Sequence, residues 1–82
     1  MKNKDEQFEE LKKQQLQNLG ERLKKLRISK GYTSYEYFAY DHNLPRAQYG
    51  RYEKGEDLKF SSLLKVLRAL DISLTDFFEE GF

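Results

Sequence analysis

The 82-residue sequence contains no cysteine, a single histidine (His42) and a single proline (Pro45). Without cysteine there are no disulfides, no thiolate metal sites and no cysteine nucleophile. With a single histidine neither a histidine-rich metal site nor a serine-histidine-aspartate triad is expected, and no cofactor is expected. No apolar run approaches the length that crosses a bilayer, and the charged N-terminus does not resemble a secretion signal, so a cytoplasmic protein without membrane association is the expectation. So short a chain leaves little room for an enzyme cleft. Carboxylates are plentiful, but nothing pairs them in an apolar pocket and no phosphate-binding loop is present, so an enzyme is not expected.

What the chain does have is charge, unevenly placed. The formal net charge is only +1, yet residues 22–54 carry eight basic side chains against three acidic ones, a net of +5. Residues 1–21 stand at −1 and residues 55–82 at −3. A basic middle between acidic ends can present one electropositive face while the whole molecule stays near neutrality. On charge alone, solvated helices of mixed sign are the favoured reading of the pattern.

Hydrophobic spacing predicts helices throughout. Leu16, Leu19, Leu23 and Leu26 form one helical stripe, giving a first helix from about Leu16 to Lys30 that stops at Gly31. Residues 1–15 form a charged extension with helical composition, in which Phe8 and Leu11 are too few to anchor it alone. Thr33 or Ser34 caps a second short helix through Tyr35–Tyr40, with Thr33 and Glu36 spaced as a capping box. Pro45 sits in the first turn of a third helix that runs to Lys54 and ends at Gly55, with Asn43 the nearest capping side chain. Ser61 or Ser62 starts a fourth helix, whose stripe of Leu63, Leu64, Val66, Leu67 and Leu70 carries much of the core. Ser73 caps a fifth helix holding Phe77 and Phe78, and Gly81 terminates it. The fold class expected is all-α: five helices in residues 16–82, preceded by the helical extension of residues 1–15.

Two very short helices joined by a turn of about four residues form the arrangement that holds a helix out toward a DNA major groove. Four stretches, Leu19-Gly-Glu-Arg-Leu-Lys-Lys-Leu-Arg27, Thr33-Ser-Tyr-Glu-Tyr-Phe-Ala39, Arg51-Tyr-Glu-Lys-Gly55 and Leu63-Leu-Lys-Val-Leu-Arg-Ala-Leu70, resemble the lambda-repressor-like (Cro/C1-type, or xenobiotic-response-element) helix-turn-helix family. The resemblance spans about Leu19 to Phe78. It implies a sequence-specific regulator of transcription that binds double-stranded DNA, with the third helix as recognition helix.

By that resemblance Arg46, Ala47 and Arg51 face base edges. Ser34, Tyr35, Gln48 and Lys54 lie near phosphates, and Tyr35 stands where the family usually has glutamine. Arginine suits base reading because its planar fork can donate two hydrogen bonds to guanine, whereas alanine offers only apolar contact. Arg27 and Glu53 match an ion pair joining the first and third helices, a structural role. Tyr49 and Tyr52 match aliphatic core positions. Gly50, within the third helix, permits close approach to the second helix or to the DNA backbone, and His42 is expected to be exposed in the turn.

One small helix reads few bases, so a homodimer on a two-fold operator is expected, assembled through the Phe77, Phe78 and Phe82 region or through the extension. When bound to DNA the protein would be associated with the nucleoid. The rival reading is a protein-interaction module, an adaptor or an antitoxin-like partner. Its contact surface would be the extension together with Tyr37 and Tyr40.

Overall fold

The computed structural model describes residues 3–80 and 82, and among them the secondary structure is entirely helical. α1 spans Lys4–Ser29, α2 Tyr35–Asp41, α3 Arg46–Glu53, α4 Phe60–Leu70 and α5 Leu74–Glu79.

The extension and the first helix are one element. The carboxamide oxygen of Asn3 accepts the Glu6 N–H at 2.8 Å, and Asp5 and Glu6 sit in the first turn, where carboxylates offset the exposed N–H groups. No proline interrupts the following residues, so α1 continues unbroken into its leucine stripe. Its N-terminal turns leave the body of the protein, with Phe8 58% and Leu11 55% exposed. This projection makes the molecule 46 Å long against 27 and 22 Å in its other dimensions.

The ends of α1 to α4 share one chemistry, the Schellman closure. A residue with positive φ turns the chain, and the two N–H groups at and after it satisfy carbonyls of the last helical turn. Gly31, Asn43, Gly55 and Asp71 occupy these positions with φ of 96°, 58°, 94° and 55°. The longer bonds run from the N–H of Tyr32 to Arg27 O, Leu44 to Ala39 O, Glu56 to Arg51 O and Ile72 to Leu67 O, at 2.8–3.2 Å. Gly31 and Gly55 take the left-handed conformation without a Cβ penalty. Asn43 and Asp71 are residue types that tolerate it.

Several sequence expectations are corrected here. Asn43 does not cap α3: it ends α2, and Pro45 lies in the cap position ahead of α3 rather than in its first turn, with no side-chain cap. Ser34 rather than Thr33 caps α2, its hydroxyl accepting the Tyr37 N–H at 3.2 Å, so the Thr33–Glu36 box is not formed. α4 starts at Phe60, ahead of both serines, after Lys59 in the cap position. Leu64 points outward at 43% exposure, so the core stripe of α4 is narrower than expected. His42 is half-buried against the rings of Phe38 and Tyr32, at centroid distances of 4.8 and 5.6 Å. Ser73 caps α5 by accepting the Asp76 N–H at 3.0 Å. The expected stop at Gly81 lies outside the described residues.

The core draws on every helix: Leu19 and Leu23 of α1, Phe38 and Ala39 of α2, Tyr49 and Tyr52 of α3, four residues of α4, and Phe77 of α5. Leu63, Val66, Leu67 and Leu70 follow a 3, 1, 3 spacing that keeps them on one face, which α4 turns into the core.

Candidate nucleic-acid interface

α3 is held by three short contacts. Gly20 on α1 lies so near the end of α3 that a Cβ there would stand 2.6 Å from Tyr52 O and 2.7 Å from Glu53 O. Gly50 on α3 receives the Tyr35 ring of α2, where a Cβ would meet Cε2 at 2.5 Å. Both glycines lie within helices, where glycine costs about 1 kcal/mol against alanine, and close packing explains their presence.

The third contact is electrostatic. Arg27 Nε donates to Glu53 Oε2 at 2.7 Å and Nη2 donates to Oε1 at 3.0 Å, while Nη1 donates to the Tyr32 carbonyl at 2.7 Å. The side chains of Arg27 and Glu53 are 4% and 7% exposed, so the bidentate pair is dry. Hydrogen bonding to Glu53 raises the guanidinium pKa further above its ordinary value, despite the opposing effect of burial. Tyr49 lies beside the pair, and burial of its hydroxyl pushes its pKa well above the usual tyrosine value. The Tyr32 hydroxyl donates to the Asp41 carboxylate, which raises the Tyr32 pKa and ties the α1–α2 turn to the end of α2.

The outer surface of α3 follows from these constraints. With Tyr49, Gly50 and Tyr52 buried and Glu53 held inward, Ala47, Arg51 and Lys54 form an exposed stripe at spacings of four and three. At about 100° per residue, Arg46 lies some 140° around the helix axis from Arg51, with Gln48 flanking the stripe on its other side. Arg46 and Gln48 are also exposed. Ser34 is exposed at the start of α2. Tyr35 is half-buried, its ring committed to Gly50. The expected base-facing residues therefore do not form a single row. Ala47 and Arg51 lie together, and Arg46 stands to one side.

Two features of this surface escaped the sequence reading. The Tyr52 and Glu53 carbonyls that make Gly20 necessary are visible only in three dimensions. Glu56, whose Oε2 is 3.7 Å from Arg51 Nε, was legible in principle: Gly55 as a helix stop places residue 56 beside residue 51. Among the described residues no group of three or more histidine, cysteine or acidic side chains is arranged to hold a metal ion. None of the described helices is long and apolar enough to cross a membrane.

A short basic helix, packed across a second short helix and fixed from behind by a buried ion pair, defines a helix-turn-helix protein. The helix-turn-helix family profile matches residues 23–77, and the chain belongs to that family, in its Cro/C1-type branch of DNA-binding transcription regulators. Among solved structures it is similar to the wild-type restriction-modification controller protein C.Esp1396I, at 32% identity and a TM-score of 0.70 over 79% of this chain and 84% of that one. Among curated proteins there is no match.

Proposed function

We propose that this protein is a sequence-specific regulator of transcription that reads double-stranded DNA with α3 and acts as a homodimer, without enzymatic activity. The observation that carries this reading is the exposed Ala47–Arg51–Lys54 stripe on a helix whose opposite face is buried and pinned by Arg27 and Glu53. Arg51 and Arg46 supply donors for base edges, and Ala47 offers a methyl for apolar contact, for instance with a thymine methyl. Lys54 at the end of the stripe and Gln48 at its flank, with the Ser34 and Tyr35 hydroxyls across the turn, supply phosphate contacts that fix register. The likeness to a restriction-modification controller protein supports a regulatory role.

The aromatic group at the end of the chain supports the homodimer. Phe77 is buried, whereas Phe78 and Phe82 are 43% and 38% exposed and pack edge-to-face at 5.0 Å. Arg22 joins this surface, with its guanidinium 5.6 Å from the Phe77 ring centroid and Nη2 3.3 Å from Glu80 Oε2. An apolar patch with a charged rim is the composition of a self-association surface. In this reading the protein works in the cytoplasm and associates with the nucleoid through DNA.

Binding to a random duplex, measured from low to moderate salt, tests the proposal. Affinity that falls steeply and linearly on logarithmic axes is the expected result; a flat response contradicts it. One observation favours the second reading, a protein-interaction module: Phe8 and Leu11 lie bare on the projecting part of α1, and Tyr37 and Tyr40 are 62% and 70% exposed. A flat salt response combined with saturable protein binding through that arm is the outcome that reading requires.

A further inference from the structure

Arg51 is not free on the surface of α3. The Schellman closure at Gly55 bonds the Glu56 N–H to the Arg51 carbonyl at 3.1 Å, a geometry that commonly brings the two side chains together. At the ends of α2 and α4 the equivalent neighbours are apolar, Ala39 with Leu44 and Leu67 with Ile72. At the end of α3 they are a cation and an anion, with Arg51 Nε 3.7 Å from Glu56 Oε2 and both side chains more than half exposed. At that distance the carboxylate is an ion-pair partner on the Nε side of the guanidinium, beyond hydrogen-bond reach. The Arg51 side chain is 54% exposed, which leaves the guanidinium accessible to a ligand.

We infer that Glu56 is a positioning residue for DNA reading, one whose charge draws the Nε side of Arg51 toward the helix end so that the Nη groups are presented to guanine O6 and N7. The inference rests on the proposed DNA-binding role of α3 and adds a determinant of its specificity. An unrestrained arginine has many rotamers, and most of them suit a phosphate as well as a base. A carboxylate tethered to the same helix end disfavours the phosphate-seeking rotamers in two ways. Its charge attracts the Nε side of the guanidinium, and the same charge repels the DNA backbone. The arrangement lowers affinity for DNA in general while sharpening preference at the base that Arg51 meets. Glu56 thus acts on the ratio of two affinities, which is where specificity resides.

The test uses the full-length chain and two probes: pooled random duplex, and the consensus duplex that the wild-type protein recovers from that pool by selection. Glu56→Gln keeps the shape and removes the charge. The expected result is tighter binding to random duplex, with the consensus-to-random affinity ratio falling by up to about fivefold, the upper bound set by one exposed ion pair. Repeating the selection with Glu56→Gln should relax the preference at the same base position that Arg51→Ala relaxes. In the double variant the ratio should match that of Arg51→Ala alone. Equal gains on both probes, with the base preference unchanged, would show Glu56 to be a general electrostatic repellent and would overturn the inference while leaving α3 as the DNA reader. Failure of the wild-type protein to bind either duplex would overturn both. The melting temperature is the folding control, and Glu56 is exposed enough that it should not move.

Discussion

Replacing Glu53 with alanine tests the link between the hidden ion pair and the recognition helix. In the native protein the Arg27 guanidinium is almost completely removed from water, with two donors on Glu53 and one on the Tyr32 carbonyl. Glu53→Ala leaves that cation buried with one neutral acceptor. Removing one partner of a buried pair costs about 3–5 kcal/mol, because the remaining charge has lost its solvation and its counter-ion together. An 82-residue domain has only about 4–12 kcal/mol of total stability, so the loss is a large share of the whole. At about 4–8 °C per kcal/mol for a domain of this size, the melting temperature should fall by more than about 12 °C. Circular dichroism at 222 nm, with urea titration at low temperature, measures it. The double substitution Arg27→Met with Glu53→Leu should recover most of the loss, since a buried pair replaced by apolar side chains is often neutral or better. A fall of less than about 4 °C for Glu53→Ala would refute the argument that the pair pins α3.

Other outcomes follow from the same geometry. Gly20→Ala should destabilise by about 1–3 kcal/mol, despite the better helix propensity of alanine, because its Cβ would meet backbone that cannot rotate away; urea midpoints measure this. Gly50→Ala should also destabilise, but adding Tyr35→Ala should recover part of the loss, since there the obstruction is a side chain. Arg51→Ala should cost about 1–3 kcal/mol on a selected duplex and relax preference at one position, whereas Lys54→Ala should weaken all duplexes alike and reduce the salt slope by about one. The alkaline limb of stability should be steep. Tyr49 and Tyr32 hold their protons above the ordinary tyrosine value of 10.0 when folded, so their contribution is complete below that pH and is lost as the pH rises further. Stability from urea titrations should decline above pH 10.0, and the decline should be shallower in Tyr49→Phe.

The parts of this molecule that were legible in the sequence are those governed by periodicity and by local chemistry. The Leu16–Leu26 stripe and the Leu63–Leu70 stripe marked α1 and α4, and Gly31 and Gly55 marked two helix ends. Asn43 was misplaced because asparagine serves two opposed purposes: it caps helix starts and it tolerates the left-handed conformation at helix ends. Its positive φ belongs to the second use. Ser61 and Ser62 suggested a helix start by type, but the bond from the Leu63 N–H to Lys59 O begins the helix earlier. The length of α1 was underestimated because a charged, weakly apolar segment gives no tertiary reason to be helical; continuity with a packed helix supplies one. The assignment of site residues came from resemblance, not from spacing. Spacing alone separates Arg46 from Arg51 by about 140° around α3, and no sequence pattern shows that the Tyr35 ring fills the space above Gly50.

The central claim is that α3 reads DNA sequence. Its most direct test is quantitative selection from a random duplex pool, run in parallel with wild-type protein and Arg51→Ala. The wild type should enrich a defined two-fold-related motif, and Arg51→Ala should lose information at one position of each half-site while retaining the rest. Enrichment of no motif by the wild type, or an identical motif from both proteins, would contradict it.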